Sequence, residues 1–155
     1  MPAVVHVGAA LSCLALGAVV IACRKGTTRH RILGGSYAVV LLLVNIAALS
    51  IPRSGRGLGP FQILAIVSLA TLVAGLVPMW VMRRTEGVVA VHAITMCFSY
   101  VGLVAAGLSQ IAAERFPDQA AVAVTSVSVL TFAIGSWAIF VRVPRAITQL
   151  GGPQP

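Results

Sequence analysis

Two histidines near the starts of long apolar segments are the residues in this chain best suited to hold a metal. His30 precedes one apolar run, and His92 lies one helical turn inside another. If these runs form helices that point the same way in one bundle, the two imidazoles lie at a similar depth on separate helices. They can then reach one haem iron from opposite faces, which is the arrangement of a low-spin haem that transfers electrons.

The same pair also suits copper, because Met96 lies one turn beyond His92 and Cys97 follows it. Copper accepts imidazole, thioether and thiolate ligands. A third interpretation needs no ligand: His30 is a solvated member of a basic loop, and His92 is an interfacial residue bonded to a backbone carbonyl. The sequence leaves all three open. The remaining histidine, His6, has no partner at its own depth and is expected at the membrane interface.

No other set of residues indicates a catalytic site. The chain has no Ser/His/Asp set, no paired carboxylates, no P-loop and no HExxH motif, and its three acidic residues lie outside the apolar runs. Proton-driven transporters normally need an Asp or Glu inside the membrane, so that class is disfavoured. The three cysteines form no CxxC pair, which argues against a disulfide or zinc framework. A protein without enzymatic activity is therefore more expected than an enzyme.

The composition places the candidate site in a membrane protein. Of the 155 residues, 59% are hydrophobic and 9% are charged, whereas about a quarter of the residues of a soluble domain carry charge. The net charge of +8 is spread over short clusters between apolar runs, which argues against a nucleic-acid partner. The expected partners are the lipid bilayer and either a second copy of the chain or a larger membrane complex.

Five apolar runs approach the length of about 20 residues that a helix needs to cross a hydrocarbon core of about 30 Å. We predict an all-α integral membrane protein, a bundle of about five transmembrane helices in a single domain over 1–145. A short disordered cytoplasmic tail is expected at 146–155. The predicted spans are 3–23, 32–51, 61–82, 88–113 and 120–141.

The basic residues of the short loops predict the orientation, because Lys and Arg resist crossing the membrane during insertion. Eight lie on one side and three on the other, which places the N-terminus outside and the C-terminus in the cytoplasm of a bacterial plasma membrane. The eight are Arg24, Lys25, Arg29, Arg31, Arg83, Arg84, Arg142 and Arg145, and the three are Arg53, Arg56 and Arg115. The cluster that flanks His30 is suited to pair with haem propionates or with anionic lipid.

Small residues predict where helices approach closely, because apolar burial does not drive helices together in lipid. Gly34 and Gly35 open the second span, Gly102 and Gly107 lie in the fourth, and Gly135 lies in the fifth. We therefore expect a large side chain at Gly34 to push neighbouring helices apart.

The residues around the histidines resemble a known family. They are Lys25-Gly26, His30-Arg31-x-x-Gly34-x-x-Tyr37, Asn45 in the same span, and the later His92 with Met96. The pattern is similar to that of the bacterial membrane family catalogued as domain of unknown function 2306, from about His6 to the end of the fourth span. Thr95 stands where that family often has an aromatic residue. The resemblance implies a small polytopic membrane protein and no established activity.

Two functions from different classes follow. One is a protein that holds haem b or a metal through histidines near the cytoplasmic face for electron transfer, an idea also motivated by a likeness in layout to the ascorbate-reducible cytochrome b bundles. The other is a non-catalytic accessory or structural subunit packed against a larger membrane complex. For the first, the expected cofactor-binding residues are His30, His92, Tyr37 and Arg31, and the expected metal ligands are His30, His92 and Met96.

Overall fold

Five α-helices and one short 3-10 helix make up the computed structural model, which describes residues 2–50, 57–82 and 85–151. No strand occurs among these residues. The helices are α1 (Pro2–Ala22), α2 (Thr28–Ser50), α3 (Pro60–Val81), α4 (Glu86–Arg115) and α5 (Ala120–Gly151), and the 3-10 helix between the last two is Pro117–Gln119.

The helices have the length and surface of membrane spans. Four of them are long and apolar enough to cross a bilayer, and a shorter apolar helix, His6–Ala22, lies within α1. Large side chains on the outside are apolar as well, such as Leu43 on α2, Val77 on α3 and Trp137 on α5. Such a surface would promote association in water but is solvated by lipid tails. The prediction of an all-α membrane bundle is confirmed.

Three helices extend beyond the predicted spans by two residues or more, and α2 does so by beginning at Thr28 instead of 32. α4 begins at Glu86 because Thr85 caps it, with the Thr85 hydroxyl oxygen accepting a hydrogen bond of 3.4 Å from the Val88 amide. α5 is helical through 146–151, where the sequence predicted a disordered tail. Residues of good helix propensity, such as Ala146 and Leu150, fill that segment. The rest of the expected tail, 152–155, lies outside the described residues.

α4 is the central helix of the bundle. It packs against α1, α3 and α5, and α2 packs against α1 and α3. The first four helices therefore form a ring, and α5 lies outside this ring against α4. Successive helices joined by short loops run antiparallel, so α2 and α4 point in the same direction across the ring.

The centre of the ring is apolar with a few satisfied polar groups. Tyr37 is 2% exposed, and its hydroxyl lies 3.1 Å from the Ser99 hydroxyl, which links α2 to α4. The Asn45 side-chain amide donates a hydrogen bond of 3.0 Å to the Ser68 hydroxyl, which links α2 to α3. Bonds of this kind between helices contribute on average about 0.6 kcal/mol each in a membrane. The apolar part of the core is formed by Cys13, Ala38, Leu41, Val44, Leu72 and Leu103.

Three glycines mark the closest approaches between helices. A Cβ atom built on Gly75 of α3 would lie 2.6 Å from the Thr95 hydroxyl on α4, and one built on Gly135 of α5 would lie 2.6 Å from Val101. On α1, a Cβ at Gly17 would overlap the rings of two tyrosines, Tyr37 and Tyr100. The prediction that Gly135 is a packing position is confirmed.

The glycines that open α2 are not packing positions. A Cβ at Gly34 would meet only Val20, at 4.0 Å, and one at Gly35 would meet nothing within 4 Å. Gly107 is equally open, and Gly102 makes an ordinary contact at 3.8 Å. A single Cβ at Gly34 therefore fits without moving a helix, whereas the expected effect of a large side chain at this position stays a prediction.

Candidate functional site

His30 and His92 lie at the same end of the bundle. Tyr37 and Ser99 are 62 positions apart and bonded across the ring, and the two histidines have the same separation, seven residues earlier on each helix. Because α2 and α4 run parallel, this places both imidazoles at one depth, about 10 Å from the Tyr37–Ser99 bond at 1.5 Å per residue. We call these two residues the histidine pair.

His92 is anchored to α3 by a backbone carbonyl. Its Nδ1 atom lies 2.9 Å from the carbonyl oxygen of Gly75. A carbonyl only accepts, so His92 donates from Nδ1 and keeps a lone pair on Nε2. Histidines that bind metals usually donate their other ring N–H in this way, which fixes the tautomer and raises the basicity of the ligating nitrogen. The same bond is expected if His92 has no ligand. The bond therefore shows which tautomer of His92 is present, but not whether a ligand is bound.

His30 lies where the loop between α1 and α2 meets the bundle. Its Nδ1 atom is 3.6 Å from the sulfur of Cys23, and its backbone N–H donates to the Thr27 hydroxyl at 3.1 Å. The ring is half-buried. When the proton is on Nδ1 and the sulfur accepts it, Nε2 of His30 is also free to bind a ligand.

The loop that carries His30 is held by a glycine and a lysine. Gly26 has a φ angle of 78°, in the left-handed region that glycine adopts without strain. The Lys25 ammonium donates to the carbonyls of Val20 and Ile21 at 2.9 and 2.6 Å. A cation at a helix C-terminus satisfies carbonyls that lack a partner within the helix. These contacts turn the chain sharply and bring His30 back to the bundle.

The other predicted site residues occupy different surroundings. Met96 faces α3, where its sulfur would lie 3.0 Å from a Cβ at Gly75, and it packs against the apolar core. Tyr37 is buried two turns deeper and is bonded to Ser99. Arg31 is exposed. The histidine pair is therefore the centre of the candidate site, with Met96 on the α3 side and Tyr37 below.

A space beside α2 adjoins the pair. Gly34 lies one helical turn beyond His30 and therefore on the same face of α2. A Cβ atom built on Gly34 would have room there, in van der Waals contact with a methyl of Val20 at 4.0 Å. The Tyr37–Ser99 bond closes the ring of helices below this level.

A bare metal ion and a haem need different numbers of protein ligands. Among the described residues, no group of three or more His, Cys, Asp and Glu side chains is arranged to hold a metal ion. Metal ions in proteins are typically held by three or more protein ligands. A haem supplies the equatorial nitrogens itself and takes one or two axial ligands from the protein. Two histidines at one depth meet that need.

Two partners of the pair belong to no sequence motif. Cys23 lies seven residues before His30 across a loop and belongs to no motif. Gly75 contributes a backbone carbonyl, which every residue has, from a helix 17 positions away. The signal that could have found Gly75 is its type, since only a glycine allows α4 so close to α3.

Several predicted residues lie elsewhere or outside the described residues. His6 is at the opposite end of α1, and its Nδ1 is buried without a hydrogen-bond partner among the described residues. Side chains outside the description are those of Arg53, Arg56, Arg83, Arg84 and Arg145.

Comparison with known families agrees with this architecture. A sequence model of the family DUF2306, described as "Predicted membrane protein", matches residues 3–149. The match extends past the fourth span, where the resemblance noted from the sequence ended, and includes most of α5. No curated protein and no solved structure matches the chain significantly. The chain belongs to the family of predicted membrane proteins described as DUF2306.

Proposed function

We propose that this protein is a membrane-embedded haem protein for electron transfer, with His30 and His92 as the axial ligands. The observation that carries the proposal is the equal depth of the two imidazoles on the parallel helices α2 and α4. Rings placed in this way can approach one iron from opposite faces. When bound, the haem supplies the one-electron redox chemistry.

The chain's own residues would orient the ligands and fix the site. The Gly75 carbonyl holds the His92 ring and directs Nε2 away from α3. The Cys23 sulfur holds the His30 ring through its Nδ1 atom in the same way. Rings fixed by such partners would present their Nε2 atoms to the haem iron in a set orientation. The Tyr37–Ser99 bond keeps α2 and α4 at a constant separation below the site.

The basic loop supports the same ligand. Arg24, Arg29 and Arg31 are exposed at the end of the bundle that carries His30. Guanidinium groups form strong charge-assisted hydrogen bonds with carboxylates such as haem propionates. By the excess of Lys and Arg on this side, the site faces the cytoplasm of a plasma membrane.

The test is a reduced-minus-oxidised absorption spectrum of protein purified from haem-replete cells. The wild type should show sharp haem bands that disappear in His30→Ala and in His92→Ala. The matched control is His6→Ala, which removes the same side chain at the other end of the bundle and should leave the bands unchanged. A colourless wild type, or bands that survive in both pair variants, would rule out the shared iron.

A second candidate function is an accessory subunit of a larger membrane complex. It is favoured by α5, whose membrane-length segment is only 11% buried and which packs mainly on α4. Its outer face exposes Val122, Val129, Trp137 and Phe140. A helix held by one neighbour leaves most of its surface for a lateral partner. If the chain purified without colour and together with a stoichiometric partner protein, that result would support the accessory role over the haem protein.

A further inference from the structure

A groove between α4 and α5 lies at the end of the bundle opposite the histidine pair. It has a volume of about 410 Å³, and its lining includes Leu108, Ile111, Phe116, Leu130 and Ile134, with Arg115 at one end. Its one hydroxyl, that of Thr131, already donates to the Val127 carbonyl at 2.8 Å. We call this the α4/α5 groove. It offers hydrocarbon contact along its length and a cation at its mouth.

The groove is long enough to cover about two thirds of the acyl-chain depth of one leaflet. Its α4 wall runs from Leu108 to Arg115, which is about 10 Å at 1.5 Å per residue. One leaflet contributes about 15 Å to the hydrocarbon core. α4 ends at Arg115, and the polar turn Pro117–Gln119 follows. The guanidinium is therefore at the level where lipid phosphates lie.

A smaller pocket at the mouth of the groove is lined by a negatively charged residue. It has a volume of about 150 Å³, shares Arg115 and Phe116 with the groove, and is also lined by Asp118 and Gln119. A guanidinium and a carboxylate thus face one space. The guanidinium can bind a phosphate through two hydrogen bonds, and the carboxylate can accept hydrogen bonds from an ammonium group.

We propose that the α4/α5 groove binds phosphatidylethanolamine, with an acyl chain in the groove, the phosphate on Arg115 and the primary ammonium on Asp118. Among the described residues at the mouth of the groove, Glu114 and Asp118 accompany one cation, Arg115, and a carboxylate beside the guanidinium favours a head group that carries an ammonium as well as a phosphate. Glu114 accepts a hydrogen bond of 2.9 Å from Gln110 and does not line either space, whereas Asp118 lines the pocket at the mouth. A choline head group has no N–H to donate to Asp118.

The test is native mass spectrometry of the full chain in detergent, with phosphatidylethanolamine, phosphatidylglycerol and phosphatidylcholine added at equal concentrations. The wild type should retain phosphatidylethanolamine in preference to the other two. Arg115→Gln should weaken that binding about tenfold. Asp118→Asn should abolish the preference over phosphatidylcholine, and Ala112→Phe, which fills the groove, should weaken binding of all three. Arg142→Gln, the same change at the other end of α5, is the matched control.

Three results would overturn the proposal. Equal retention of the three lipids by the wild type and by Arg115→Gln would mean unspecific contact with acyl chains. A preference for phosphatidylglycerol would contradict the role of Asp118. A lipid-free dimer that Ala112→Phe dissociates would make a second copy of the chain the occupant. Circular dichroism of each variant verifies the helical fold, and Arg115 and Asp118 are exposed, so their substitution leaves the core intact.

Discussion

At the scale of residues, the two members of the histidine pair are held by groups of different kinds. His92 is held by a backbone carbonyl, which no substitution of a side chain at that position removes. His30 is held by a thiol, which a single substitution can remove. Below them, Tyr37 and Ser99 are buried, and both hydroxyls find partners, since Ser99 also donates to the Met96 carbonyl at 2.8 Å. A buried hydroxyl without a partner would be costly in this apolar surrounding.

The Tyr37–Ser99 bond should have a measurable coupling energy. Tyr37→Phe and Ser99→Ala each remove one hydroxyl, and Ser99 retains its bond to Met96 when Tyr37 is changed. We expect a double-mutant cycle, measured by unfolding in detergent, to give a coupling of about 0.6 kcal/mol, with an upper value of about 2 kcal/mol. Thr125→Ala is the control, because that hydroxyl bonds only within its own helix, to Ala121. A coupling of zero would show that the two hydroxyls do not interact.

At the scale of elements, glycines decide which helix faces touch. α3 meets α4 closely at Gly75, and α5 meets α4 closely at Gly135. α2 opens with two glycines that touch almost nothing. All of these glycines lie in apolar helices, so their sequence surroundings do not distinguish them. What distinguishes them is whether a neighbouring helix lies directly against the glycine.

Substitution by alanine should therefore change stability at a glycine that touches another helix and leave it unchanged at a glycine that does not. Gly75→Ala places a Cβ 2.6 Å from the Thr95 hydroxyl and 3.0 Å from the Met96 sulfur, so α3 must shift, at a cost of about 1–3 kcal/mol. Gly34→Ala meets only Val20 at 4.0 Å and should leave thermal stability in detergent nearly unchanged. Equal melting temperatures for the two variants would contradict the close approach of α3 to α4.

Gly34 gives a further prediction that depends on the proposed haem. Gly34→Leu adds a bulky side chain one helical turn from His30, at a position where a Cβ has room, so it should lower haem content while the helical secondary structure is kept. Haem content is measured by absorbance per protein, and circular dichroism verifies the fold. Full haem content in Gly34→Leu would place the macrocycle away from this face of α2.

At the scale of the whole molecule, the arrangement is a ring of four helices with a fifth helix attached to one side. The histidine pair lies at one end of the ring, and the α4/α5 groove lies at the other end and outside it. The two proposed ligands would therefore bind independently of each other. The orientation of the bundle in the membrane decides which of them faces the cytoplasm.

The orientation is tested with reporters fused to the ends of the chain. Eight basic residues on one side and three on the other predict that a reporter active only in the periplasm works at the N-terminus and fails after residue 145. A cytoplasmic reporter at the same two sites is the control and should give the opposite result. Equal periplasmic activity at both ends would mean an even number of spans.

The sequence by itself determined the class of the protein, the positions of the helices and the depth of the histidines. These depend on local composition: apolar runs of membrane length, polar residues and prolines that interrupt them, and a count of residues from each helix end. Because membrane helices alternate in direction, the count also indicated that His30 and His92 share one end of the bundle. The helix boundaries differed from the prediction only just beyond the apolar runs, as at 146–151, which are helical and not disordered.

The tertiary structure decided which helix faces meet and which groups hold the site residues. In water, a packed face is marked by an apolar stripe on an otherwise polar helix. In lipid, the packed and the exposed faces are both apolar, so composition does not mark the contact. For that reason Gly34 was indistinguishable from Gly75 in the sequence, and the Gly75 carbonyl that fixes His92 became visible only once α3 lay against α4.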